Sequence, residues 1–220
     1  MPTQRQQFDD SLNELRAALV KMGRQVEEAI RRSVESLKDG NVELAEQIIG
    51  HDPEINRLEE EIGGIATRLI ATQQPVAKDL RRILIAFRMA SDLERMADLA
   101  VDVAQVTKRI GGEPLIKPLI DIPRMAELVL AMTDDSINAY MNENLDLAYK
   151  MAKMDDEVDQ LHGQILREMF AYLVEDPTKV SQVLHLCFVS RYLERMADHA
   201  TNIGESVVYL IKGHRPDLNT

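Results

Sequence analysis

The sequence predicts an all-α protein of two tandem, internally duplicated three-helix bundles, six long antiparallel helices in all. Three observations predict it. Apolar residues recur at spacings of three and four over long stretches, the period of one helix face. The composition is that of good helix formers, with 10 Gly, 8 Pro, 4% aromatic residues and no Trp in 220 residues. The hexapeptide Leu93-Glu94-Arg95-Met96-Ala97-Asp98 returns unchanged 100 residues later as Leu193-Glu194-Arg195-Met196-Ala197-Asp198.

The first helix is expected from Phe8 to about Lys38, where Phe8, Leu12, Leu15, Leu19, Met22, Val26, Ile30, Val34 and Leu37 form one stripe. Asp39-Gly40-Asn41 stops it and offers a cap to the next. The second pattern runs from Val42 to about Thr72 and is interrupted by Gly50 and Pro53. Proline in a helix interior removes a hydrogen bond at about 3 kcal/mol, so a kink or restart is expected near Asp52 with Pro53 in a first turn. Gln74-Pro75 turns the chain into a third helix, Val76 to about Ile110. Residues 111–123, with Gly111, Gly112, Pro114, Pro118 and Pro123, read as a linker. The fourth helix is expected from about Arg124 to Met141, the fifth from about Leu145 to Leu173, and the sixth from about Thr178 to Lys212 after a turn at Glu175-Asp176-Pro177. The tail from Gly213 is expected to fray. The duplication sets the domains: residues 1–112 form the first bundle and 119–215 the second. Asp52 to Leu58 aligns with Asp155 to Leu161, and the turn prolines Pro75 and Pro177 match at a similar spacing.

Charge and cysteine content narrow the function. Lys and Arg total 26 against 37 Asp and Glu, a net charge of −11. Such a surface repels phosphate backbones, which argues against nucleic acid and against anionic lipid as partners. Cys187 is the only cysteine, which suits a reducing compartment. With no apolar signal core and no apolar run of membrane length, the protein is expected in the cytoplasm without direct membrane insertion.

The acids of the third and sixth helices are placed where an amphipathic helix would not put them. Glu94 and Asp98 share a face with Ile83, Phe87, Ala90, Ala97 and Val101, and Asp102 lies near its edge. Glu194 and Asp198 share one with Val183, Cys187, Ala197 and Thr201, and Asn202 takes the third position. A buried carboxylate needs a cation. Two readings stay open. In one, arginines of the same helices (Arg81, Arg88, Arg95, Arg191 and Arg195) neutralise the acids. In the other, oxygens stacked one turn apart meet those of a second helix and bind metal. Asp155, Asp159 and His162 are the complement in the second half, and Asp52, Asn56 and Glu59 in the first. An all-oxygen set suits Mn, Mg or Fe ahead of Zn or Ca. His199 falls off the acidic face and reads as a structural or surface histidine. Cys187 and most of the 11 Met read as core filling.

Ser91 to Asp98, preceded by Gln74-Pro75-Val76-Ala77-Lys78-Asp79-Leu80-Arg81, resembles the PhoU family, as does Arg191 to Ile203. The resemblance covers nearly the whole chain. It implies two three-helix bundles, with acid motifs that bind metal clusters in some members. The motif carries over to Glu94, Asp98 and Asp102, to Glu194, Asp198 and Asn202, and on the partner helices to Asp52, Asn56, Asp155 and Asp159. Pro53 stands where the family usually has an acid, Asn56 lacks a charge, and Leu99 replaces a histidine that His199 keeps. The second half therefore matches better. The implied function is negative regulation of phosphate uptake and of the phosphate-starvation response. The protein would be a homodimeric cytosolic adaptor between the phosphate ABC transporter ATPase and a phosphate-sensing histidine kinase, brought to the inner face of the membrane through the transporter. No organic cofactor and no catalysis are expected, since a nucleophile, a phosphate-cradling Gly loop and a nucleotide motif are all missing. The alternatives are a helical carboxylate metal protein, for storage or di-metal oxidation, and a related protein serving another phosphate carrier.

Overall fold

The computed structural model describes residues 4–214 and 216–218. Six long helices account for it: α1 Gln4–Asp39, α2 Val42–Gln73, α3 Ala77–Ile110, α4 Asp121–Asn142, α5 Leu145–Glu175 and α6 Val180–Lys212. A 3₁₀ turn, Pro177–Lys179, precedes α6. The predicted stripe of α1 is buried from Phe8 to Leu37. Asn41 caps α2, its side chain accepting from the Leu44 N–H at 2.9 Å, and Asn144 caps α5 in the same way. Gly111 ends α3 in the left-handed region, φ 65°, a conformation that costs glycine little.

Two local expectations are corrected. Asp52 is not a helix start, because α2 runs unbroken from Val42 to Gln73 with Pro53 inside it. Ile48 and Ile55 on either side of the proline are both buried, so packing carries the helix across the missing hydrogen bond. The linker ends earlier than residue 123. Pro123 lies in the first turn of α4, where the absent N–H has no intrahelical partner to lose.

Paired residues give the directions. α1 and α3 are parallel, joined by Arg5–Asp79 at one end and Ser36–Thr107 at the other, and α2 runs against both. In the second half α5 runs against α4 and α6. The halves share one continuous hydrophobic core. α1, α3, α6 and α4 pack in a ring, while α2 lies outside α1 and α3, and α5 outside α4 and α6. Close approach shows at Gly23, where an added Cβ would sit 2.1 Å from Ile137 Cδ1 of α4. The linker is tied to the second half, with the Ile116 N–H donating to Gln182 Oε1 and Gln182 Nε2 to the Pro114 carbonyl.

The tail is anchored more than expected. Leu218 donates its N–H to Glu205 Oε1 at 2.9 Å, on the buried side of α6. The expectation of fraying at Arg215, Asn219 and Thr220 lies outside the described residues. Among the described residues, no helix is long and apolar enough to cross a membrane.

Candidate functional site

Each outer helix faces an inner one across a seam, and the predicted acids other than Asp102 lie on these seams. In the first half α2 carries Asp52, Asn56 and Glu59, and α3 carries Glu94 and Asp98. Burial, and after it the charge of Asp98, pushes the Asp52 carboxyl up. Burial and Asp98 also raise Glu94 against the pull of Arg95, with Glu59 and Asp52 adding to the rise. The arginine of the salt-bridge reading is present: Arg95 lies 3.5 Å from Glu94 and 3.3 Å from Asp98. It is itself largely exposed, so it compensates only part of the charge. Asn56 Nδ2 donates to Asp52 Oδ2 at 3.2 Å, one turn apart on α2.

The second half is more deeply set. Asp155 on α5 is 8% exposed. Burial comes first, then Asp198, Asp159, Glu194 and Asp156, in pushing its carboxyl up to about 7. Glu194 is raised by burial and Asp198, while Arg191, in contact with it, opposes. Burial also raises Asp198, with Arg191 opposing and Asp159 adding. Asp159 is exposed at the rim. His162 Nδ1 lies 2.9 Å from Ser190 Oγ on α6, which engages that ring nitrogen across the seam. Its imidazole is held below the usual range by burial and then Arg191.

The third motif positions sit elsewhere. Asp102 is exposed and lies among Asp98, Arg109 and Arg195, where α3 meets α6. Asn202 lines a shallow cleft with Phe87, Arg88 and Asp92 of α3. Both occupy the seam between the halves. Sequence reasoning missed what closes that seam, the approach of His199 Nδ1 to Asp92 Oδ1 at 2.9 Å. It also missed the clamp of Arg82 on Glu143 and Asp79. The only signal for the clamp was Lys78-Asp79 within the family-like segment.

The donor chemistry fits a hard cation. Every candidate offers oxygen. Asp52 Oδ1, Asn56 Oδ1 and Glu194 Oε2 are buried and accept no hydrogen bond from the described residues. An unpaired buried oxygen costs about 1–3 kcal/mol, more for a charged one, which a cation would recover. Among the described residues, no three His, Cys, Asp or Glu side chains are already gathered as a metal shell. The acids face one another in loose sets, and side-chain movement is needed to close them.

A sequence model described as the PhoU domain matches residues 19–107 and 122–207, one match in each half. A phosphate-specific transport system accessory protein PhoU homolog from Clostridium acetobutylicum is 42% identical over 213 residues, covering 96% of this chain and 97% of its own. The homolog from Aquifex aeolicus is 41% identical over 92% of this chain and 91% of its own. The crystal structure of PhoU from Pseudomonas aeruginosa superposes with a TM-score of 0.89 at 34% identity, over 94% of this chain and 100% of that one.

Proposed function

This chain belongs to the PhoU family, and from that premise we propose that it is an accessory protein of phosphate-specific transport that holds down phosphate uptake and the starvation response when phosphate is plentiful. One observation carries the reading. The similarity to relatives named for that accessory role covers 96% of the chain, with both halves matched and 42% identity in the Clostridium acetobutylicum protein. A protein of this kind works by docking, without catalysis of its own. Its partners are the ATPase of the phosphate ABC transporter and a phosphate-sensing histidine kinase, and it acts in the cytoplasm as a homodimer brought to the membrane by the transporter.

The carboxylate seams supply a second element of the proposal. Asp52, Asn56, Glu94 and Asp98 in the first half, and Asp155, Asp159, Glu194 and Asp198 in the second, are the residues that would hold a metal. A bound Mn, Mg or Fe ion supplies there the positive charge that these acids lack. Without it, like charges on α2 and α3, and on α5 and α6, oppose close packing of the outer helices, and Arg95 and Arg191 offset this only in part. Asp102 and Asn202 lie at the seam between the halves, Asp102 near Arg195 of α6 and Asn202 in the cleft with Arg88 and Asp92 of α3.

The test is genetic. The gene is deleted and a phosphate-starvation reporter, such as alkaline phosphatase, is followed in phosphate-rich medium. Constitutive expression, reversed by the wild-type gene, is the expected result. A reporter that stays silent after deletion overturns the regulatory reading. Complementation by an Asp155→Ala, Glu194→Ala variant then separates docking from metal: full repression by a folded variant removes the metal element.

A further inference from the structure

A cleft of about 220 Å³ opens in the first half between α1, α2 and α3. Its walls are largely apolar, from Ala29 on α1, Ile48 and Ile55 on α2, and Ala97 and Val101 on α3. Gln25 and Asp52 also line it. Gln25 Oε1 and Asp52 Oδ1 are buried, and neither accepts a hydrogen bond from the described residues. Buried acceptors in folded proteins almost always have a donor. Two acceptors around one cavity, with no donor from the described residues, suit a ligand that brings hydrogen-bond donors, and Asp52 Oδ1 can serve either such a donor or a cation of the first carboxylate set.

The charges around the cleft settle the class further. Arg24 and Arg32 stand against Glu28 and Glu54, with Asp52 inside. Arg32 is already engaged, its Nη2 donating to Gln47 Oε1 at 2.7 Å. A multiply charged anion such as phosphate finds no net positive field there, whereas a neutral or cationic donor does not need one. The volume is below the roughly 300–1,000 Å³ of drug-sized sites, which limits the ligand to one ring system or a short chain. At the corresponding place in the second half a longer side chain stands. Met151, the counterpart of Ile48, is fully buried, and its methyl lies against Gly204.

We propose that this cleft binds a small organic molecule carrying an amino or amidine head on an apolar body, with the head donating to Gln25 and Asp52 and the body against the apolar walls. Because Asp52 also belongs to the first carboxylate set, occupancy of the cleft and of that set are linked. The proposal does not rest on the phosphate-regulatory reading, and the reporter experiment above can fail without touching it.

The test uses the full chain, stripped of metal with chelator, and follows ligand-observed NMR and thermal melting. The probes are benzamidine and hexylamine, matched with benzoate and hexanoate, which keep the apolar bodies and carry acceptor heads. Donor-headed probes are expected to bind at least about tenfold more tightly than their matched acids, since the acids leave both protein acceptors unpaired. Benzamidine against hexylamine distinguishes an aromatic from an aliphatic ligand. Gln25→Leu removes one acceptor without opening space, and it should weaken the donor-headed probes while raising the melting temperature of the free protein. Ala29→Leu, on a half-buried wall, should block all of them with the circular dichroism spectrum unchanged. Equal binding of the matched acids, binding unaltered in both variants, or no binding by any donor-headed probe overturns the proposal.

Discussion

His199 of α6 and Asp92 of α3 meet across the two halves, Nδ1 to Oδ1 at 2.9 Å, with about a fifth of each side chain exposed. Neither helix belongs to the other's repeat, so the pair ties together what the duplication made separately. At the pseudo-equivalent place Tyr192 and Leu99 stand instead, and no such bond forms there. One half therefore contributes the acid and the other the imidazole.

Breaking this tie should loosen the seam between α3 and α6. Asp92→Ala and His199→Leu are each expected to cost about 1–2 kcal/mol in urea unfolding. The double variant should cost less than their sum by at least about 0.5 kcal/mol. Strictly additive losses would show that the two side chains act independently.

A second tie joins the turn before α5 to the start of α3. Arg82 donates through Nε and Nη2 to Glu143 Oε1, at 2.8 and 2.6 Å, and through Nη1 to Asp79 at 2.9 Å. Lys78 reaches the other Glu143 oxygen at 2.6 Å. Burial alone would push Glu143 up, but the hydrogen bonds from Lys78 and Arg82 outweigh it and hold the carboxyl below the usual range. Asp79 is lowered for the same reason, burial being outweighed by Arg5 and Arg82. A carboxyl lowered in the folded state binds fewer protons there than in the unfolded state. Its contribution is therefore complete above the ordinary carboxylate pKa of about 4 and is lost as the pH falls below that. The raised acids of the seams, Asp155 foremost, act in the opposite sense, so the reading is the unfolding limb below about pH 4 alone, and Glu143→Gln should flatten it. An unchanged limb in that variant would assign acid loss to other groups.

The sequence carried the fold further than the site. The repeat of Leu93 to Asp98 at Leu193 to Asp198 was visible because an unchanged hexapeptide is its own signal. The stripe of α1 was visible because burial there is one-sided. Pro53 misled, since local propensity says stop while Ile48 and Ile55 on either side are held by the core. Asp98 keeps 42% of its side chain exposed, whereas Glu94 and Glu194 could be read as inward acids from periodicity and Asp155 from the alignment of the halves. That Asp102 and Asn202 lean to the other seam could not. A residue near the edge of a helix face is assigned to one neighbour or the other only once the packing of α3 on α6 is known. Asp92–His199 and Arg82–Glu143 were hidden for the same reason, each joining residues far apart in sequence.

Asp155 is the most deeply buried member of the acid sets. It is buried on α5 and faced by Asp198, Asp159 and Glu194. Asp155→Asn keeps the shape and removes the charge, so it is expected to stabilise the chelator-stripped protein by about 1–3 kcal/mol. Wild-type protein should gain melting temperature on addition of Mn²⁺, and the variant should gain less. A variant that is less stable in chelator, or that responds to Mn²⁺ as strongly as wild type, would remove Asp155 from the metal set.

Two glycines inside helices should respond in opposite directions to the same substitution. Gly64 of α2 is exposed, and an added Cβ there meets nothing within 4 Å. Alanine limits the unfolded chain without touching the folded one, so Gly64→Ala should stabilise by about 0.5–1 kcal/mol. Gly204 of α6 is buried against α5, and its Cβ would sit 2.7 Å from Met151 Cε and 3.3 Å from the Ala148 carbonyl oxygen. The methionine end can swing aside, but the carbonyl belongs to the backbone of α5 and moves only with that helix. Overpacking of this kind costs about 1–3 kcal/mol, more than the gain in helix propensity. Gly204→Ala should therefore destabilise, and it should do so by pushing α5 away from α6, the seam that carries Asp155 and Glu194. Loss of the Mn²⁺ response along with stability is the expected signature. A Gly204→Ala protein as stable as wild type would mean that α5 yields at that point without cost.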